Sequence, residues 1–176
     1  MVRNHARPRT RAGAAAVAAA MAVGLLAGTS ATTAPTASAL TMQSDRPDLG
    51  TWQAKYNKRL LWLINNRREN HGLARLKPTA CAQDYSKRWS SYLTQKDAFE
   101  HSDLGRLLDV CNANYANENL AKIYDGARPV DLVRAWMNSA GHRSNILTSK
   151  ARLSGVSIRW DDNLHAWVAV TNFVRK

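Results

Sequence analysis

Apolar side chains recur at Tyr56, Leu60, Leu63 and Ile64, with arginines and lysines between them. That spacing draws one stripe along a helix over residues 52–70, and Gly72 supplies the left-handed residue on which helices often end. A second helix is expected from Pro78, a residue suited to a first turn, to about Gln95. Within it Cys81, Tyr85, Trp89 and Leu93 fall four apart on one face and read as core. A short helical turn over 104–111 follows, then a strand over 120–124 and a loop at 126–129. Pro129 opens a third helix through Ser139. Gly141 is expected to break it, with His142 opening a further short helix. The last two apolar runs, 153–160 and 164–174, flank the polar Asp161-Asp162-Asn163 and predict a β-hairpin. Helices and an antiparallel sheet mixed along one chain make the fold class α+β.

The first 39 residues follow a different pattern. Arg3, Arg7, Arg9 and Arg11 precede an Ala/Val/Leu-rich stretch over 13–28, and Ala37-Ser38-Ala39 is a small-x-small cleavage site. This is the layout of a secretory signal peptide, and its apolar run, interrupted by Gly24, is short of the roughly 20 residues a membrane helix needs. A secreted, extracellular protein is expected. Residues 40–51 would form a flexible N-terminal arm and 52–176 one domain, long enough to bury a core. No later segment is apolar enough to span a membrane.

The 176 residues carry a formal charge of +12. Subtracting the four arginines of the leader leaves +8, which could attract the chain to anionic polymers or head groups. The basic residues (Lys55, Lys58, Arg59, Arg67, Arg68, Lys87, Arg88, Arg134 and Arg152) are scattered and read as solvated. They make no dense run interleaved with exposed aromatics, so no specific nucleic-acid binding is expected. Two cysteines, Cys81 and Cys111, both follow the leader. An isolated pair in an oxidising compartment usually bonds, and closing a loop of this size stabilises by roughly 3–4 kcal/mol in the chain-entropy model. Free thiols are the competing state. A metal thiolate site lacks its Cys-x-x-Cys pair.

The run Ala-Trp-Met-Asn-Ser-Ala-Gly-His-Arg-Ser-Asn-Ile-Leu at 135–147 resembles the signature of the CAP superfamily, the cysteine-rich secretory, antigen five and pathogenesis-related proteins, in its compact bacterial form. Three further segments resemble that family in order. Gly72-Leu73-Ala74-Arg75-Leu76 matches "GL-x-x-L" after a helix, Phe99-Glu100-His101-Ser102 matches "F-x-H-[ST]", and Glu118-Asn119-Leu120 matches "E-N-[LIV]". Asn117 replaces the glycine before that last motif, a substitution compatible with a left-handed backbone. The resemblance covers about 60–173 and implies a three-layer α-β-α sandwich with a small antiparallel sheet.

It also implies a cleft built from His101, Glu118 and His142. The family's second acid, three residues after the tryptophan Trp136, is Ser139 here. Two imidazoles and a carboxylate can ligate Zn²⁺ or another divalent cation with a position open for water. Equally, Glu118 could hydrogen-bond one histidine and orient it. Spacing adds nothing, because no short metal motif joins His101 to His142. A nucleophilic Ser-His-Glu set drawing on Ser102 or Ser139 lacks a Gly-x-Ser-x-Gly elbow. Asn145 and Arg143 are expected to brace the cleft wall, and His71 and His165 to lie on the surface. Trp160, Trp167, Tyr115 and Tyr124 are candidates for an apolar groove. Three functions remain: a monomeric, non-catalytic protein binding a small ligand or cation, a metal-dependent extracellular hydrolase in which the metal activates water, or a carrier of lipid or cell-wall polymer.

Overall fold

A computed structural model describes residues 49–124, 126 and 128–176, so the leader and most of the N-terminal arm lie outside the described residues. Five helices and four strands follow in the order α1 (Leu49–Glu69), β1 (Lys77–Pro78), α2 (Ala80–Lys96), α3 (Leu104–Cys111), β2 (Tyr115–Tyr124), α4 (Pro129–Asn138), α5 (Ala140–Ile146), β3 (Leu153–Asp161) and β4 (Ala166–Arg175). None of these helices is long and apolar enough to cross a membrane.

The sheet order is β1-β3-β4-β2. β4 pairs antiparallel with both neighbours and is buried from Val168 to Val174. Its residues alternate between two covered faces, as a strand inside a sandwich requires. On one face Val168, Val170 and Val174 pack with Leu93, Ala82 and Tyr85 of α2 and with Leu107 of α3. On the other, Ala169 and Phe173 join Tyr56, Leu60 and Ile64 of α1, Leu132, Val133 and Trp136 of α4, and Ile146 of α5. The result is three layers, helix, sheet and helix.

The β3–β4 hairpin forms where alternation placed it, with Asp161 opposite Ala166. Asp161 Oδ1 accepts from the backbone N–H groups of Asn163 and Leu164, both at 3.1 Å, and His165 takes the left-handed position. At the end of α1, Gly72 has φ 70°, and the N–H of Leu73 reaches back to the Arg68 carbonyl at 3.0 Å. Cys81 in the first turn of α2 is disulfide-bonded to Cys111, the last residue of α3, with Cα atoms 5.6 Å apart.

Five local expectations need correction. Pro78 does not start a helix. Lys77 and Pro78 form a two-residue edge strand parallel to Leu153 and Ser154, which makes the sheet mixed rather than purely antiparallel. An edge tolerates a residue without an N–H, and α2 begins at Ala80. α1 starts at Leu49, inside the expected arm. The break between α4 and α5 is Ser139, whose extended backbone caps both helices, while Gly141 lies within α5. Asn117 is an ordinary strand residue of β2, which begins at Tyr115 rather than Leu120. Finally, Arg68 is not solvated. It is fully buried.

Candidate functional site

The site is built on β2, the free edge of the sheet. Glu118 points its side chain towards the α2 layer, where only 1% of it is exposed. Its Oε1 accepts two hydrogen bonds, from the backbone N–H of Ser102 at 3.1 Å and from His101 Nδ1 at 2.7 Å. Its Oε2 is buried without a protein partner. A carboxylate only accepts, so Nδ1 of His101 carries the proton and Nε2 is left free on a ring that is 62% exposed.

Two aromatic side chains of α2 fix the loop that carries His101. Asp97 ends α2 in a left-handed conformation. Trp89 Nε1 then donates to the Glu100 carbonyl at 3.1 Å, and Tyr85 OH donates to the Asp103 carbonyl at 2.6 Å. His101 and Ser102 are thus held from both sides. Asp103 closes the segment by capping α3, its Oδ1 accepting from the Arg106 N–H at 3.0 Å. Tyr85 and Trp89 were expected only as core. Their apolar bodies pack as such, and their polar tips hold the site.

His142 enters from the opposite layer, on α5. Its Nδ1 lies 2.9 Å from Ser139 Oγ, and its ring centroid is 6.2 Å from that of Trp136. Partial burial pushes its pKa below the ordinary value, and His101, when protonated, pushes it the same way. Asn119 Nδ2 donates to the His142 carbonyl at 3.1 Å. Asn145 Nδ2 donates to the Glu118 carbonyl and to Asn119 Oδ1, both at 3.0 Å, and its Oδ1 accepts from Asn117 Nδ2 at 2.9 Å. These three amides satisfy the exposed edge of β2 and lock α5 to it. Arg143 Nη1 donates to the Met137 carbonyl near the end of α4. Below them Arg68, which sequence reasoning assigned to the surface, donates to the carbonyls of Ile146 and Thr148 and so holds the end of α5.

The three cleft residues do not converge as a ligand set. Among the described residues no three His, Cys, Asp or Glu side chains form a group able to hold a metal ion. Glu118 gives Oε1 to His101 and Ser102, and its unpartnered Oε2 is enclosed on the α2 side, so the donors present do not fit the facial set that Zn²⁺ would use. Nor does a Ser-His-Glu relay assemble. Ser139 pairs with His142, whereas Glu118 pairs with His101. Two grooves of about 300 and 330 Å³ lie elsewhere on the domain and are lined by none of the three.

The remaining candidates are dispersed. His71 is exposed, its Nδ1 2.7 Å from the Arg67 carbonyl. His165 is in the hairpin turn with its ring edge-on to Trp160. Trp160 and Trp167 contact each other, and Trp167 contacts Trp52 of α1. Tyr115 and Tyr124 stand at the two ends of β2, roughly 30 Å apart at the rise of a strand. These aromatics do not line one groove.

The Cysteine-rich secretory protein family model matches residues 61–173. The chain is 32% identical over 108 residues to the uncharacterised protein YkwD of Bacillus subtilis, a match covering 57% of this chain and 41% of that protein. Among solved structures, an extracellular protein of Bacillus anthracis containing an SCP domain superposes with a TM-score of 0.64 at 24% identity, over 74% of this chain and 44% of the other. An outer surface protein of Borrelia burgdorferi gives 0.60 at 19% identity, over 69% and 93%. A cysteine-rich secretory protein of Staphylococcus aureus gives 0.59 at 23%, over 70% and 39%. The chain spans about two fifths of the length of its curated relative. The structural likenesses carry the fold. The family match takes in the His101, Glu118 and His142 segments together, and on it this chain belongs to the Cysteine-rich secretory protein, or CAP, family in its bacterial SCP form.

Proposed function

We propose that the protein is an exported, non-catalytic binding protein in which Glu118 presents His101 to a small polar ligand, with His142 on the facing wall. The double use of Glu118 Oε1 carries this reading. A carboxylate so engaged fixes the imidazole tautomer and turns Nε2 outwards as a hydrogen-bond acceptor. Binding a metal or activating water through Oε1 would mean abandoning a buried N–H, at about 1–3 kcal/mol, and Oε2 is enclosed away from solvent. Ser139, neutral where the family places an acid, gives His142 a hydroxyl and no charge. Export rests on the basic, apolar and small-residue order of the leader, and the likeness to an extracellular protein and an outer surface protein supports it.

Calorimetric titration of Zn²⁺ into chelator-treated protein, beside a His101→Ala/His142→Ala double variant, tests the choice. Equal and weak heats are expected from both. Micromolar binding confined to the wild type would overturn the reading in favour of the metal-dependent hydrolase. Imidazole ¹⁵N spectra should show His101 protonated at Nδ1 at neutral pH, and a proton on Nε2 alone would remove its basis.

A further inference from the structure

A second site is visible on the outer face of α2. Tyr85, Arg88, Trp89 and Tyr92 recur at the spacing that puts side chains on one helical face. With Asp103 and Arg106 from the start of α3 they line a groove of about 330 Å³, at the lower end of the range for small-molecule sites. We propose that this groove binds an acidic saccharide, a pyranose ring lying on the aromatic pair and its carboxylate reaching the two guanidinium groups.

The aromatic platform is already fixed. Trp89 and Tyr92 stack with ring centroids 4.8 Å apart and planes 18° from parallel. Trp89 is anchored through Nε1 to Glu100 and Tyr85 through its hydroxyl to Asp103, so neither ring must be ordered when a ligand arrives. Tyr92, stacked on the anchored Trp89, is 40% exposed and so presents ring surface to the groove. Around this platform stand two cations and one anion. No salt bridge among the described residues engages Arg88 or Arg106. Asp103 gives Oδ1 to the Arg106 backbone, and its second oxygen remains an acceptor. The groove therefore carries a net charge of about +1 and offers both donors and an acceptor beside an apolar face.

That combination selects its ligand. An acyl chain would strip water from two guanidinium groups without replacing it, and no aliphatic side chain lines the groove. A phosphodiester strand would bring its charges against Asp103. A uronic acid instead matches each part. Its carboxylate takes the forked guanidinium hydrogen bonds, its hydroxyls can donate to Asp103, and the C–H face of its ring covers the tyrosine or tryptophan.

The test is calorimetric titration of a galacturonic acid tetramer into the protein, beside a neutral glucose tetramer and a short thymidine oligonucleotide. Saturable binding of the acidic saccharide is expected, weakened about tenfold each by Arg88→Gln and Arg106→Gln, the loss of one charged hydrogen bond, and several-fold by Tyr92→Ala. These three side chains are exposed or support no other segment, so the melting temperatures should match the wild type. Arg59→Gln removes a surface arginine that covers Trp62 outside the groove and should leave binding unchanged. The proposal is overturned by absent binding, by equal binding of the neutral tetramer, by an equal effect of Arg59→Gln, or by preference for the oligonucleotide through the same residues.

Discussion

Replacing Arg68 should cost more than any other surface-looking arginine. One guanidinium serves three segments. Nε donates to the Ala74 carbonyl at 2.9 Å, Nη1 to Ile146 and Thr148 at 2.7 and 2.8 Å, and Nη2 to Ala151 at 3.3 Å. Burial, with Arg152 nearby, lowers its pKa, yet an arginine remains charged at any ordinary pH. Its hydrogen-bond partners among the described residues are carbonyls and not carboxylates, so carbonyl dipoles compensate the charge. Arg68→Ala leaves the Ile146 carbonyl buried without a donor and removes the part-buried bonds to Ala74 and Thr148, whereas the Ala151 carbonyl keeps Arg152 Nη1 at 3.0 Å. At about 1–3 kcal/mol for the orphaned carbonyl and about 1 kcal/mol for each of the two part-buried bonds the loss centres near 4 kcal/mol, or roughly 10–20 °C in Tm for a domain of this size. Arg68→Met separates the causes, because it keeps the apolar stem and removes every donor. Scanning calorimetry should place it near the alanine variant, with Arg68→Lys between them and the wild type. A methionine variant within about 1 kcal/mol of wild type would refute the argument. It would mean that desolvating the charge had cost as much as its hydrogen bonds return.

Three shorter predictions concern other joints of the fold. Cys81→Ser opens a link of sequence separation 30. It should cost roughly 3–4 kcal/mol under oxidising conditions, and an unchanged melting curve or two labelled thiols in the wild type would contradict the staple. A Cβ on Gly155 would run into the backbone of Ala82 and Gln83 in α2, so Gly155→Ala should destabilise by about 3 kcal/mol, whereas a wild-type melt would show that α2 can step back from β3. His142 has a lowered pKa, so the unfolded chain binds its proton first. Its contribution is then complete above the unfolded value of about 6.5 and is lost as pH falls below it. His142→Gln should flatten the decline in Tm between pH 7 and 5, and parallel slopes would exclude His142 as its source.

Much of this architecture was legible because local pattern and final environment agree. The hairpin alternates with period two about a polar turn, and α1 shows its stripe at Tyr56, Leu60 and Ile64. The same stripe continues to Arg68, four residues beyond Ile64, and that register was the available sign of its burial. Chemistry masked it, since Arg67 beside it is ordinary surface. Pro78 misled because its fixed φ suits an edge strand as well as a first helical turn. The histidines and Glu118 were reached through motif resemblance. Their pairing was not, because whether a carboxylate binds metal or holds an imidazole depends on what faces it across 17 residues of chain. Asn117, Asn119 and Asn145 carry no pattern in sequence, and only β2 lying at a sheet edge gives their amides work.

That edge position also bears on what the cleft can hold. An internal strand would hide Glu118 between two neighbours, whereas β2 leaves one side open and Asn145 must satisfy the Glu118 carbonyl. Backbone and carboxylate of Glu118 are therefore fixed by different elements, α5 on one side and the His101 loop on the other. A ligand that takes Oε1 would disturb the His101 loop. One that uses the free Nε2 of His101 leaves both attachments in place. On the proposed reading, a hydroxyl or amide donor approaching His101 would meet a ring that Glu118 already holds in place.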